Sequence, residues 1–549
     1  MIEAASLGAI GSALGIAIGI VLARLLVGMV TESMGVIFET RFAVDRLTIE
    51  PRAQLMVGIL GVAVALFASF FAARRMSTLS PLEAIQPGRE HVAGRTTTRL
   101  LRWWVALVAA TAMALVAEVR LKSIAWGNLG STLWFASTIA IAIPLVQQLA
   151  RRLSASLPRV FGSEGRVAAE SLFRAVTRTG LTVGAVALVL SIGITVTSVA
   201  LSFRTSVDSY FRTGPYRQGD LVVSAVATEG GWLEVPIPEA VGEEIRGLPG
   251  VAGVELFRGM FGQMYRGARI LVFGADEGAG DRYPAEWYRE GDPKSAAPAL
   301  DAGQGCLVST NLADRFDLHA GQTLELTSPT GIVRLPIVGI VQDFSSDRGA
   351  VAMNRRVFTD RWQDSRITRV FVTLDGSASP ETVRARITER LGSRYRLKML
   401  SMPEVLAFQE GMIDRAFAFT DAIHLLVAIV IVAGILDLLL SSVLERRREL
   451  AVWRLIGADD ARVRRSVMLE SATIGALGAA LGVAVGIVTA AIWVGVNFRY
   501  LLGYYLDMHF ALGTTAAYIA LVMAMTVITG YAAARRATAE SILDGIRSE

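Results

Sequence analysis

The chain has 549 residues but one cysteine, Cys306, so no intrachain disulfide can form. Lysine is nearly as scarce. Lys122, Lys294 and Lys398 are the complete set, and none follows the Gly-x-x-x-x-Gly spacing of a phosphate-binding loop. That route to ATP hydrolysis is therefore closed to this chain. The four histidines, His91, His319, His424 and His509, include no pair at metal-ligand spacing. Charge is also thin: 19% of residues are charged against 53% hydrophobic, a balance that points to a membrane protein.

What is present are long apolar runs. Eight stretches approach or exceed the ~20 residues that cross ~30 Å of hydrocarbon. They cover 5–27, 53–73, 103–117, 129–150, 180–203, 416–443, 472–496 and 512–534, with 103–117 the shortest. None reads as a cleavable signal peptide, because no basic region precedes the first and no small-residue cleavage site follows it. The net charge of +5 would suit nucleic acid, but its distribution suits a membrane. Twenty-two Arg residues fall in alternate short loops and the tail, among them Arg74, Arg75, Arg151, Arg152, Arg535 and Arg536. The intervening loops hold six basic residues: Arg41, Arg46, Arg52, Arg120, Lys122 and Arg499. Positive-inside counting then places both termini in the cytoplasm and residues 204–415 outside, with no nucleic-acid partner.

The chain repeats itself. MIEAASLGAIGSALGIAIGIV at the start and MLESATIGALGAALGVAVGIV from Met468 share 13 of 21 positions, and AARRMSTLSPLEAI (72–85) aligns with AARRATAESILDGI (533–546). The repeat carries glycines at matched positions: Gly8, Gly11, Gly15 and Gly19 in one copy, Gly475, Gly478, Gly482 and Gly486 in the other. At about 100° per residue, spacings of three and four keep them in one stripe, where small residues let helices approach closely in lipid. The first copy begins where the third helix of a four-helix unit begins. A downstream start codon, a separate polypeptide or natural loss each accounts for that.

The expected fold is a polytopic α-helical membrane protein, about eight transmembrane helices with one extracytoplasmic α/β domain. Residues 1–87 form the second half of a first unit and 88–161 two linker helices. Residues 162–203 form an amphipathic segment and the first helix of a second unit. Residues 204–415 form the α/β domain, and 416–549 a three-helix transmembrane domain with a cytoplasmic turn. Within the α/β domain, 220–227, 269–276 and 369–375 read as strands and 323–341 as a hairpin about Ser-Pro-Thr-Gly. Residues 238–251 and 379–392 read as short helices, with Ser379 capping the latter. No nucleophile–base signature stands out there. On one span, Asp421, His424 and Asp437 are expected to make structural hydrogen bonds rather than a proton relay.

The stretch LERRRELAVWRLIGADDARVRRSVMLES (444–471) reads as helix, turn, helix. Gly457 is a helix stop, Asp459 or Asp460 caps the return helix, and Arg462, Arg464 and Arg465 reach for headgroups. Glu445 and Glu449 meet Arg448 and its neighbours at helical spacing.

ERRRELAVWRLIGA, with the basic helix and Gly-rich span after it, closely resembles the signature of FtsX-like ABC transporter permeases of the MacB type. SPLEAI (80–85) resembles that family's closing element, and 204–415 is similar to the MacB-like periplasmic core domain. The resemblance implies that the turn contacts a separate cytoplasmic ATPase dimer through Glu445, Arg446, Arg447, Arg448, Glu449, Arg454, Gly457 and Ala458. ATP and Mg would be bound by that partner, with no cofactor, metal or catalytic residue in this chain. It implies a permease subunit of the bacterial inner membrane that converts ATP hydrolysis into movement of the outside domain. The cargo would be lipoprotein, lipid, peptide or drug. Membrane lipid, a second permease chain or a first-unit fragment are the further partners implied. The alternative is an ATPase-driven signalling protein that controls an extracytoplasmic partner such as a cell-wall hydrolase.

Overall fold

The computed structural model describes residues 2–37, 51–77, 93–174, 176–214, 218–225, 235–276, 278, 280–417, 419–444, 447–455 and 457–539. They fall into two compact units, Met1–Thr96 with Met412–Ala422, and Thr97–Gly411 with Ile423–Glu549.

In the first unit, α1 (Ile2–Ile37) pairs with α2 (Pro51–Ser77). The contact face of α1 is Gly8, Ser12 and Ile16. A Cβ at Gly8 would lie 2.8 Å from the Ala65 Cβ, Ser12 fills the space beside Gly61, and Ile16 lies against Gly58.

The second unit begins at Thr97 within α3 (Ala93–Leu121) and continues through α4 (Ile124–Arg174) and α5 (Val176–Thr213). α3 is longer than the apolar run 103–117 because it extends at both ends of that run, from Ala93 to Leu121. α4 is continuous except at Gly162, whose φ of 60° and ψ of −133° leave the helical region.

A mixed sheet follows. Its strands are β1 (Leu221–Ala225), β2 (Val251–Tyr265), β3 (Ala268–Ala275), β4 (Tyr288–Glu290), β5 (Cys306–Ser309), β6 (Thr323–Ser328), β7 (Gly331–Val341), β8 (Ala350–Asn354), β9 (Arg369–Leu374) and β10 (Leu397–Ser401). Their order is β10-β1-β9-β2-β3-β8-β5-β7-β4, with β6 on β7. Among the described strands only the β3–β8 and β5–β7 pairs are parallel. β2 carries a bulge between Phe261 and Gln263, where Gly262 at φ 91° takes the left-handed conformation such a bulge favours.

Five helices flank the sheet: α6 (Ala240–Arg246), α7 (Pro293–Asp301), α8 (Thr310–Phe316), α9 (Arg355–Trp362) and α10 (Pro380–Leu391). Two cores result. Leu221, Val223, Ile245, Leu256, Val372, Val383 and Ile387 close one, beneath α6 and α10. Ile270, Val272, Cys306, Val308, Leu326, Ile337, Phe358 and Trp362 close the other. Burial pushes the Cys306 thiol up to about 12, so it stays protonated and acts as a small apolar side chain.

The chain returns through α11 (Met402–Phe417), α12 (Phe419–Leu444) and α13 (Arg447–Leu455), then α14 (Asp460–Ile492). A π-helical turn, Trp493–Asn497, leads to α15 (Phe498–Leu502) and finally α16 (Leu512–Ala539). α14 is the centre of the bundle, packed on α5 and α16. Leu190, Ile194, Ile431, Ile435, Ile474 and Val522 form its core with their neighbours. Six helices among the described residues are long and apolar enough to cross a membrane, and Pro51–Phe67 and Ile423–Leu439 are shorter apolar helices. The described residues of all eight apolar runs read from the sequence lie on helices.

Candidate functional site

The second unit has two polar ends joined by α5 and α14: a helical turn at one and the sheet at the other.

At the turn end, Gly457 has φ 97° and donates its N–H to the Arg454 carbonyl at 3.1 Å. Ala458 N–H reaches the Trp453 carbonyl at 3.0 Å, so the last carbonyls of α13 are satisfied by a left-handed glycine stop. Asp459 sits at the cap position of α14 with no side-chain cap bond. The neighbouring Asp460 accepts instead from Arg454 Nε at 2.9 Å, bridging the turn. Leu450, Val463 and Val467 are buried with Ala533 and Ala534 of α16, and Trp453 and Ala458 pack on them. The turn is thus seated on the bundle through the Ala-Ala of the repeated Ala-Ala-Arg-Arg element.

Of the residues assigned to this turn by resemblance, Arg454, Gly457 and Ala458 are brought together here. Glu445 and Arg446 lie outside the described residues, as do 80–85 and 540–549. Arg447, Arg448 and Glu449 belong to α13, and the described side chains begin again at Leu450.

The glycine stripes diverge between the copies. Cβ atoms at Gly478, Gly482 and Gly486 would press on α5, with the Gly482 position 2.9 Å from the Ala187 carbonyl oxygen, and Gly475 faces Thr526 of α16. Thr195 adds a hydroxyl bond to its own helix at Ser191 O, 2.8 Å, and a longer one across to Gly486 O, 3.4 Å. In the first copy only Gly8 has this closeness. Among the described residues nothing lies within 4 Å of a Cβ at Gly11, Gly15 or Gly19. The reason is rotational: α1 meets α2 through Gly8, Ser12 and Ile16. Gly11, Gly15 and Gly19 occupy the face that in the second copy lies on α5.

At the sheet end, α5 runs to Thr213 and the chain enters β1 a few residues later. β1 pairs with β10 in the register Leu221↔Ser401, and Ser401 leads directly into α11. Met402 N–H closes the joint on the Asp220 carbonyl at 3.0 Å. Arg212 of α5 bonds Asp208 at 2.8 Å and also Glu410 of α11.

A second attachment is the segment 503–511 between α15 and α16. Gln342 Nε2 donates to the Tyr505 carbonyl at 2.6 Å and Thr310 Oγ1 to the Gly503 carbonyl at 3.2 Å. Tyr504 stacks on Phe344 at 4.7 Å, and Phe344 meets Tyr210 of α5 at 5.4 Å. The Tyr210 ring in turn stacks on Trp287, and its hydroxyl lies 2.8 Å from Ser345 Oγ. Burial holds the Tyr504 hydroxyl well above its usual pKa and pushes Tyr505 up to about 12. Both phenols therefore remain neutral. Arg499 bonds Asp314 and lies over the Tyr505 ring. The same segment is tied to α5: Ser206 and Ser202 accept from the N–H groups of Asp507 and His509, at 3.1 and 2.9 Å. A third point is Lys122 Nζ at the α3–α4 corner, 2.5 Å from Asp317 Oδ1.

Sequence reasoning counted Arg499 and Lys122 only as loop charges and passed over Asp314, Asp317 and Tyr504. Their partners lie 185 and 195 residues away, and no local pattern marks them. Asp437 lines a groove among α4, α5 and α12. Among the described residues no three His, Cys, Asp or Glu side chains gather to hold a metal.

The second unit thus joins a sheet domain at several points to one end of a helical bundle. Residues 422–542 match the FtsX-like permease C-terminal family, and residues 179–390 match the MacB-like periplasmic core domain. Two separate segments of the chain thus match families of that permease type, and six of its described helices are long and apolar enough to cross a membrane. It is similar to an uncharacterized ABC transporter permease protein, Rv0987, of Mycobacterium tuberculosis, with 25% identity over 541 residues. That alignment covers 93% of this chain and 59% of the relative, so the chain spans less than two thirds of the relative's length. Among solved structures, the periplasmic region of MacB from Actinobacillus actinomycetemcomitans aligns at 11% identity and TM-score 0.27, over 36% of this chain and 95% of that one. The extracellular domain of the noncanonic ABC-type transporter YknZ from Gram-positive bacteria aligns at 10% identity and TM-score 0.24, over 33% and 98%.

Proposed function

We propose that this chain is the transmembrane subunit of an ABC transporter that relays the work of a separate ATPase to the sheet domain. The observation that carries the reading is the continuity of α5. It contacts α14 along the bundle, runs unbroken to Thr213, and feeds β1, which is paired to the strand that enters α11. A displacement of α14 at the turn reaches the sheet through packed helices and backbone hydrogen bonds rather than through a pore. The turn, 444–471, is the face an ATPase dimer would push. ATP and magnesium belong to that partner. In this orientation the turn and both termini are cytoplasmic, the sheet domain lies outside the inner membrane, and the cargo is a lipoprotein, lipid, peptide or drug handled there.

The test is association. Arg446→Glu combined with Arg448→Glu reverses charge in the turn segment that the resemblance assigns to the ATPase. Co-purification with the cognate ATPase is expected to be lost while membrane insertion is retained. Undiminished co-purification removes the coupling assignment.

A further inference from the structure

Past the apolar run 129–150, α4 continues as helix from Arg151 to Phe161, eleven residues or about 16 Å at 1.5 Å per residue. At Gly162 the backbone leaves the helical region and the chain doubles back toward α5. The reversal is tight: a Cβ at Gly165 would collide with the Leu157 carbonyl, so glycine is what lets the two arms cross. The return arm is seated on the bundle, with Ala168, Ala169 and Leu172 buried. Glu164 in that arm lies within electrostatic reach of Arg462 and Arg465, in the first turns of α14.

Two rulers agree on the height of this elbow. Along α4 it stands about 16 Å beyond the apolar run, or about 15 Å for a helix tilted by about 20°. Along α14, Arg465 and Arg462 stand seven and ten residues before the apolar run 472–496, about 10–15 Å. Headgroups reach only about 5–7 Å beyond the hydrocarbon. The elbow therefore stands clear of the lipid, level with the turn that joins α13 to α14.

Its surface is apolar and basic. Val160 is 73% exposed and Phe161 49%, and Arg151, Arg152, Arg159 and Arg166 are exposed on the two arms. Among the described residues none of these four guanidiniums has an ion pair or a hydrogen bond. The turn offers apolar surface of the same kind, with Val452 and Leu455 exposed on α13. Large apolar side chains held in water mark a docking surface, and arginines around them select a partner with carboxylates.

We propose that the elbow, 159–165, is a second docking point for the protein that meets the turn. Val160 and Phe161 enter an apolar recess on that partner, and the arginines meet its carboxylate rim. The inference rests on the proposed ATPase coupling and adds α4 to it. The partner then holds both α4 and α14, two helices that pack along α5.

Photocrosslinking tests this in the full chain, co-expressed with the cognate ATPase and irradiated in the membrane. Phe161→p-benzoylphenylalanine is expected to give a chain–ATPase adduct, identified by mass spectrometry, and Leu455→p-benzoylphenylalanine a second one from the turn. Val160→Asp combined with Phe161→Asp, and Arg159→Glu combined with Arg166→Glu, should each lower ATPase co-purification about tenfold. Membrane insertion and melting temperature should match the parent in both. An adduct from position 455 without one from 161, with co-purification undiminished in both elbow variants, overturns the elbow and leaves the coupling reading standing. Adducts of position 161 with lipid alone also overturn it, in favour of a membrane contact. No ATPase adduct from either position removes both readings.

Discussion

Asp314 and Arg499, 185 residues apart in the chain, meet through two bonds: Nε to Oδ2 at 3.1 Å and Nη2 to Oδ1 at 2.8 Å. One belongs to a helix of the sheet domain and the other to the helix that ends α14's path. The pair is half-shielded from water, and Arg499 also covers the ring of Tyr505. Bidentate geometry and partial burial lift it above an ordinary surface ion pair.

Arg499→Ala is therefore expected to loosen this attachment, and a double-mutant cycle with Asp314→Ala should return a coupling of about 1–2 kcal/mol. Hydrogen exchange in residues 310–317 and 503–511 reads the effect, with faster exchange in either single variant. Exchange confined to its parental rate would mean that the other attachments hold the segment alone.

The two glycine stripes give an internal control. Gly482→Ala drives a Cβ onto the Ala187 backbone, where no flexible side chain can yield, and should cost about 1–3 kcal/mol. Gly11→Ala meets open space and should be neutral or gain about 0.5–1 kcal/mol from helix propensity. Thermal unfolding of both variants in one detergent compares them directly.

Glu118 is fully buried on α3, packed over Gly127, and neither carboxylate oxygen has a hydrogen-bond partner among the described residues. A buried acceptor without a donor is costly, and an ionised one more so. Glu118→Gln is expected to stabilise the protein by about 1–3 kcal/mol, seen as a higher melting temperature at neutral pH. A lowered melting temperature would show that the carboxylate is being used.

In the sheet domain, burial outweighs the attraction of Arg282 and raises the Glu255 carboxyl from 4.5 to about 7. A pKa raised on folding means that the native state binds the proton more tightly than the unfolded chain. The contribution is complete below 4.5 and is lost as pH rises through about 7. The melting temperature should therefore fall between those values with a slope that Glu255→Gln flattens. An unchanged slope in Glu255→Gln would assign the dependence to other groups.

Local patterns carried the domain's outline and little of its assembly. β3, β9, the β6–β7 hairpin and α10 with its Ser379 cap were legible because alternation, turn chemistry and capping act within a few residues. β2 was not: Gly253, Gly259 and Gly262 interrupt its side-chain alternation, and its bulges shift the parity. The pairing of β1 with β10 was beyond reach, since nothing near Leu221 names Ser401 as its partner. At the turn, the Gly457 stop and the cap position at Asp459 were readable, but the bond from Arg454 to Asp460 depends on where Arg454 points. The glycine spacing announced close packing, yet only neighbours decide which face is covered, and the two copies have different neighbours.

α5 is 38 residues of uninterrupted helix, about 57 Å at 1.5 Å per residue. Pivoted near one end, a swing of only about 5° carries the other through about 5 Å, as much as the spacing between neighbouring strands. Such gearing means that an input too small to disturb any side-chain contact near the pivot can offer the sheet a different neighbour at its edge.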